Sequence, residues 1–264
     1  VILIPWASLL LGESVWNIIL ECLLANKGLV AVWLCFVVAA VAGVALVGEQ
    51  LFKRLPNTIV RKLYHVVALA IFTPGTVIAP SFVRIAAAGM LTLFMMLECM
   101  RAAKVQPFAP LLEDFISQHL DHQDKGFLVL THIYLLVGCA GPVWLISPSF
   151  QCSSAAAASP SLAPFAGQLL VGVGDAAASV FGRWYGRIKW SGSAKSIEGT
   201  FAATVVTAVA ACSLSLVIGA SLSWPLLFLA CLLGCLLEAF TLQIDNLFLP
   251  LWFVVLLNLV HHWS

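Results

Sequence analysis

The chain has 264 residues, of which 62% are hydrophobic and only 9% are charged, and its formal net charge at pH 7 is +1. Soluble domains are nearer half apolar and a quarter charged, so a chain with a mean hydropathy of +1.04 cannot cover its surface with polar groups. The composition excludes an ordinary soluble domain, and the net charge gives no indication of a nucleic-acid partner. We expect an integral membrane protein that has the lipid bilayer as its main solvent.

Apolar runs, taken in chain order, predict an all-α polytopic transmembrane helix bundle of about eight spans. A spanning helix needs roughly 20 mostly apolar residues, and the candidates are residues 29–47, 63–79, 82–99, 127–146, 162–182, 200–220, 224–240 and 247–262. Residues 1–27 contain Glu13 and Glu21 and are interpreted as a truncated span or an interfacial segment. Because Val1 starts within an apolar stretch, we expect the C-terminal portion of a longer protein, with residues 28–264 forming one membrane domain.

Basic residues concentrate in alternate loops between the predicted spans. The first, third and fifth loops carry Lys53, Arg54, Arg61, Lys62, Arg101, Lys104, Lys125, Arg183, Arg187, Lys189 and Lys195. The opposite side carries Lys27, Arg84 and the chargeless stretch 147–161. The positive-inside rule therefore predicts that the odd-numbered loops face the cytosol.

Asp175 is the most informative residue of the predicted fifth span. An ionisable group in mid-bilayer costs roughly 2.5–3.5 kcal/mol on insertion scales, so it needs a reason to be there. In a helix, Asp175, Ser179, Arg183 and Arg187 recur every four residues and form one polar stripe. A carboxylate suits Mg²⁺ and guanidinium groups suit phosphate oxygens, so the stripe indicates a metal and polyphosphate site. The alternative is that Asp175 pairs with a basic residue of a neighbouring helix and only orients the bundle.

Small residues and a polar loop accompany this stripe. Gly174, Ala178, Gly182 and Gly186 form a neighbouring stripe, for which simple helix packing is the favoured interpretation. Residues 189–200 (KWSGSAKSIEGT) form a loop that leads into the sixth span, where exposed amides at a helix start can bind an anion. Two alternatives are Ser196 as an N-cap with Glu198 in the first turn, and a merely solvated loop. Two further acids, Glu238 and Asp245, lie inside or at the edge of spans.

The segments 172–182 (GVGDAAASVFG) and 195–200 (KSIEGT) resemble the CTP-binding region of the dolichol kinase family. Further similarity is found at 61–65 (RKLYH) with 72–75 (FTPG), at 120–124 (LDHQD) with 130–134 (LTHIY), and at 245–251 (DNLFLPL). The matches follow in order through about residues 50–255. Family members often carry two adjacent lysines before Glu-Gly-Thr, whereas the first of these is Ala194 here, which leaves Lys195 as the single candidate phosphate clamp.

The resemblance implies a multi-pass enzyme of the endoplasmic reticulum membrane that moves the γ-phosphoryl group of CTP to dolichol. Its product, dolichyl phosphate, is the lipid carrier for protein glycosylation. The nucleotide-binding loop near 183–200 would face the cytosol, with the bilayer, CTP and dolichol or a related polyprenol as partners. Phytol or farnesol kinases and CTP-using phosphatidate cytidylyltransferases share the Asp-Gly-Lys-Glu-Gly arrangement and remain alternatives. A transporter is the non-enzyme alternative, because it too would place acids and small residues inside spans.

The site hypothesis that follows has three parts. The catalytic candidates are Asp175, Lys195, Glu198 and Asp245. Mg²⁺ or another divalent cation is expected at Asp175, joined by Asp245. The nucleotide and its metal are expected to contact Gly174, Ser179, Arg183, Arg187, Ser196, Gly199 and Thr200. Asp121 and Asp124 are alternative base or metal candidates, and His65 and His132 are expected to be packing residues.

Overall fold

The computed structural model describes residues 14–54, 57–107, 109–110, 112–113, 129–146, 160–241 and 245–264, and the side chains at 15, 40, 41, 43–61, 63 and 245 lie outside that description. In this part of the chain the fold is all-helical, apart from a β-bridge between Lys189 and Ser196. The α-helices are α1 (Val15–Ala25), α2 (Lys27–Arg54), α3 (Asn57–Ile78), α4 (Pro80–Ala102), α5 (Thr131–Ile146), α6 (Ala176–Tyr185), α7 (Ile197–Ile218), α8 (Trp224–Phe240) and α9 (Asp245–His262). A 3₁₀ turn (Ala163–Phe165) and a π-helical segment (Gln168–Asp175) lead into α6.

Helices cover most of each predicted apolar run in the described part of the chain, and the run 162–182 is divided among the 3₁₀ turn, the π-helical segment and α6. Among the described helices, α4 and α7 are each long and apolar enough to cross a membrane. Residues 16–25 of α1 and 27–39 of α2 could form a third span together, although the two helices meet at an angle of 84°. The all-helical fold class is therefore confirmed, and the number of about eight spans stays a prediction.

The outer faces of the helices are apolar, which is consistent with lipid contact. On α7, Phe201 is 66% exposed and Leu216 is 74% exposed. Large exposed apolar side chains also occur on the other described helices, from Trp16 on α1 to Leu259 on α9, and lipid solvates such side chains better than water does. The apolar helices and their exposed apolar side chains together indicate a membrane protein.

The π-helical segment Gln168–Asp175 is the central element of the bundle. It contacts α3, α5, α7, α8 and α9, and Leu170 and Val171 are fully buried. The one polar side chain in its buried part, Gln168, donates from Nε2 to Thr76 Oγ1 on α3 at 3.1 Å. Segments of π-helix are uncommon and are frequent at functional sites. This segment ends at Asp175, so the predicted acid lies at the junction between the central element and α6.

The hydrophobic core surrounds this central element. The 3₁₀ turn, the π-helical segment and the inner faces of α7, α8 and α9 supply its buried side chains. Phe253 and Leu227, both without exposed surface, are among the largest of them. Packing here keeps α6, α7 and α8 in fixed relative positions, and those three helices form the walls of the site described next.

Candidate functional site

A cavity of about 280 Å³ lined by several charged side chains lies where α6, α7 and α8 come together. Its walls are the end of the π-helical segment, the length of α6, the first turn of α7, the last turns of α8 and the loop between α6 and α7. The lining residues are Asp175, Ala178, Ser179, Gly182, Arg183, Gly186, Lys189, Ala194, Lys195, Ser196, Gly199, Thr200, Cys235 and Glu238. Two acids, three basic residues and several hydroxyl groups therefore share one small space, which is the composition expected for a phosphate or metal–phosphate site.

Asp175 is bound to the bundle by two basic side chains of α3. Lys62 Nζ and His65 Nε2 both contact Asp175 Oδ2, the histidine at 3.3 Å. The alternative interpretation of Asp175, pairing with a basic residue of a neighbouring helix, is thus seen in the structure. It does not displace the first interpretation, because the same Asp175 also lines the cavity.

Lys195 and Ser193 bind the C-terminal end of α8. The Lys195 ammonium group donates to the Glu238 main-chain oxygen at 2.6 Å and lies 3.5 Å from Glu238 Oε1. Ser193 Oγ donates to the Ala239 main-chain oxygen at 2.8 Å. The last carbonyl groups of a helix have no partner within it, so these side chains satisfy them. Lys195, the candidate phosphate-binding residue, therefore lines the cavity with its ammonium group already bound to Glu238.

The start of α7 follows the N-cap interpretation. Ser196 is the N-cap residue, and its Oγ accepts a hydrogen bond from the Gly199 amide at 3.1 Å. The amides of Ile197 and Thr200 donate to the main-chain oxygens of Ile188 and Ser196. These three amides are thus engaged within the chain. The Thr200 hydroxyl is engaged as well, because it donates to the Ser196 main-chain oxygen at 3.1 Å and accepts from Trp190 Nε1 at 3.0 Å. The Ser196 hydroxyl is therefore what this turn offers to a ligand in the cavity.

Glu198 supports the loop before α7. Its carboxylate accepts hydrogen bonds from the backbone amides of Arg187 and Ile188, each at 3.1 Å. It is not among the described residues that line the cavity. The geometry favours a role in shaping the loop 186–197 over direct contact with a substrate.

If the chain has the kinase activity that the resemblance implies, we expect Glu198→Gln to keep most of that activity. The glutamine carbonyl oxygen can still accept an amide hydrogen bond. Turnover should fall by less than about threefold, whereas Glu198→Ala, which removes both acceptors, should lower thermal stability measurably. Steady-state kinetics and thermal unfolding in detergent test this. A loss of about a hundredfold or more in Glu198→Gln, in a normally folded protein, would indicate a chemical role instead.

The stripe of small residues is a helix–helix contact, as favoured from the sequence. A Cβ atom on Gly199 would lie 2.8 Å from the Ala178 main-chain oxygen and 3.0 Å from Gly182 Cα, so α6 and α7 are almost in backbone contact. Gly174 likewise faces α7, since a Cβ atom there would lie 2.9 Å from Thr207 Oγ1. Close approach of this kind requires small residues at the interface.

Of the predicted site residues, the cavity brings together Asp175, Ser179, Arg183, Lys195, Ser196, Gly199 and Thr200. Gly174, Arg187 and Glu198 are not among its described lining residues. Asp245 is the first residue of α9, and its side chain lies outside the described part of the structure, as do Asp121 and Asp124.

Four basic or acidic residues at the site were not among the predicted site residues: Lys62, His65, Lys189 and Glu238. Lys62 and His65 are one helical turn apart in the RKLYH motif, and this spacing was the available signal for a shared target. Glu238 was recognisable as an acid inside an apolar span, which is costly without a partner. Its side chain is 3% exposed and lines the cavity beside Lys195.

Fold and site together define a helical membrane protein with a charged, phosphate-compatible cavity at one end of its bundle. A sequence profile described as dolichol kinase matches residues 9–136. The chain is 37% identical over 240 residues to dolichol kinase of Homo sapiens, covering 89% of this chain and 44% of that protein. It is 35% identical over 235 residues to dolichol kinase EVAN of Arabidopsis thaliana, covering 86% and 39% respectively.

A third relative, dolichol kinase sec59 of Schizosaccharomyces pombe, is 34% identical over 199 residues, which are 74% of this chain and 38% of that protein. No solved structure matches the chain. The chain belongs to the dolichol kinase family. It spans less than half the length of these curated relatives.

Proposed function

We propose that this chain carries the catalytic membrane portion of a CTP-dependent dolichol kinase, which converts dolichol to dolichyl phosphate at the endoplasmic reticulum membrane. The observation that carries the proposal is the cavity, which brings Asp175, Ser179, Arg183 and Lys195 together in a chain of this family. We further propose about eight spans, residues 28–264 as one membrane domain, and a nucleotide loop near 183–200 that faces the cytosol. The basic residues of the odd-numbered loops support this orientation.

The reaction joins the dolichol hydroxyl oxygen to the γ-phosphorus of CTP and breaks the bond between that phosphorus and the β–γ bridging oxygen. CDP leaves, and the hydroxyl proton is released. Little covalent chemistry is required of the protein, so its contribution is positioning and charge stabilisation. Arg183, Lys189 and Lys195 would bind phosphate oxygens, and Ser179 and Ser196 would supply hydrogen bonds. The acceptor is a lipid that would reach the site from the bilayer, which would account for an acid in an otherwise apolar segment.

Mg²⁺ fits the site as an ion shared with the nucleotide. Among the described residues, no three His, Cys, Asp or Glu side chains are close enough to hold a metal by themselves. Mg²⁺ is commonly held by one or two carboxylates together with substrate phosphates, and Asp175 offers such a carboxylate at the cavity wall, with Asp245 as a second candidate. The ion would neutralise charge that develops on the phosphate oxygens.

Transfer of label from CTP to dolichol tests the function. The purified chain, reconstituted with dolichol and Mg²⁺, should move label from γ-labelled CTP to dolichyl phosphate, with no lipid label from α-labelled CTP. Label on a lipid from α-labelled CTP would indicate a cytidylyltransferase. Preference for phytol or farnesol over dolichol would indicate those kinases, and absence of any transfer would contradict the proposal.

A further inference from the structure

Asp175 is in contact with two different parts of the molecule. One is the cavity formed by α6, α7 and α8, which Asp175 lines. The other is α3, whose Lys62 and His65 both contact Asp175 Oδ2. Neither Lys62 nor His65 is among the described lining residues of the cavity. The α3 pair therefore reaches Asp175 from outside the cavity.

The contacts of Lys62 and His65 with Asp175 are suited to holding its carboxylate in one position. Lys62 and His65 lie three residues apart, so they share one face of α3. The exposed fractions of the side chains are 16% for Lys62, 8% for His65 and 16% for Asp175. A carboxylate so far removed from water is stable as an ion only when it is paired. Two contacts on one oxygen also restrict rotation of the carboxylate, which a single contact would permit.

We infer that Lys62 and His65 are positioning residues, which hold the Asp175 carboxylate at the cavity wall where the metal–nucleotide complex is proposed to bind. The inference rests on the proposed function and deepens it, because it assigns α3 to the site. Lys62 acts through Asp175 in this arrangement. The competing assignment is that Lys62 moves into the cavity and binds a phosphate oxygen as a point charge.

A double-mutant cycle distinguishes the two assignments. The variants are Lys62→Met, Asp175→Asn and the double variant Lys62→Met/Asp175→Asn, with the exposed Lys104→Met as the matched control. Residues that hold a metal ligand typically affect metal affinity or activity by about 10–100-fold. We expect Lys62→Met to lower kcat about tenfold or more and to raise the Mg²⁺ concentration for half-maximal activity severalfold. The KM for CTP should change less than about threefold.

The decisive quantity is the additivity of the losses. If Lys62 acts through Asp175, adding Lys62→Met to Asp175→Asn should cost less than about twofold more activity. Losses that multiply would overturn the inference in favour of direct phosphate binding, as would a large rise in the KM for CTP. A Lys62→Met variant that behaves like Lys104→Met would also overturn it. Lys62→Arg, which keeps the cation with a different shape, should recover part of the activity.

Thermal unfolding in detergent gives a second readout, independent of turnover. Lys62→Met leaves Asp175 without its ammonium partner, so we expect it to lower the midpoint more than the double variant does. We also expect Mg²⁺ with CTP to raise the midpoint of the wild type more than that of Lys62→Met. Equal or additive midpoint losses would contradict the pairing. If the wild type transfers no phosphoryl group, the proposed function fails, and the unfolding cycle still decides whether Lys62 supports Asp175.

Discussion

Asp175→Asn is expected to lower the rate of phosphoryl transfer from CTP to dolichol by about a hundredfold or more, which corresponds to about 2.7 kcal/mol of transition-state stabilisation. The substitution keeps the size of the side chain and removes the negative charge at the cavity wall. Asp175 is proposed to bind Mg²⁺ together with the nucleotide, and it accepts a hydrogen bond from the Lys62 ammonium group. Both interactions depend on the negative charge. The rate of label transfer from γ-labelled CTP measures the effect.

Glu113→Gln is the matched control for this prediction. It makes the same carboxylate-to-amide change at an exposed residue that is not among the described lining residues of the cavity. We expect it to leave turnover within about twofold of the wild type, as surface substitutions usually do. Wild-type activity in Asp175→Asn would remove Asp175 from the mechanism and leave it with a structural role alone.

Gly199→Ala is expected to lower the thermal stability of the protein and to weaken CTP binding. The added Cβ would lie 2.8 Å from the Ala178 main-chain oxygen, 2.9 Å from Ser196 Oγ and 3.0 Å from Gly182 Cα. Two of these three atoms belong to backbone, so α6 and α7 must move apart. Overpacking typically costs about 1–3 kcal/mol, and the shift would also widen the cavity. Thermal unfolding in detergent and the KM for CTP measure the two effects.

Gly89→Ala is the control for the methyl group itself. Gly89 lies inside α4, and a Cβ atom there would meet nothing within 4 Å. Alanine is favoured over glycine within a helix by about 1 kcal/mol, so this variant should be as stable as the wild type or more stable. If Gly199→Ala matched it, close packing of α6 on α7 would not be what requires a glycine at this position.

The sequence was sufficient to predict most of the helices, because a bilayer forces each span to be a long apolar run with internally satisfied backbone groups. The predicted span 224–240 coincides with α8, and 82–99 lies within α4. The polar stripe was also predictable, since Asp175, Ser179 and Arg183 differ from an otherwise apolar environment. All three do line one cavity.

Three features were not predictable, for different physical reasons. The π-helical segment Gln168–Asp175 is apolar and buried on almost all sides, so the spacing of its side chains carries no signal that separates it from an α-helix. The contact between Lys62 and Asp175 depends on how α3 packs against the central segment, and helical periodicity describes only neighbours within one helix. Lys195 shows a third limit, because only the structure reveals that the end of α8 already binds its ammonium group.

The contact between Lys62 and Asp175 joins residues 113 positions apart in the chain, which has a consequence for biosynthesis. Ribosomes add about 5–20 residues per second, so roughly ten seconds separate the synthesis of α3 from the arrival of its acidic partner. During that interval Lys62 must keep its ammonium group in the water or headgroup layer, as long basic side chains near helix ends do. The Lys62 contact can therefore form only after the segment that contains Asp175 has been made, so this part of the site is completed late in synthesis.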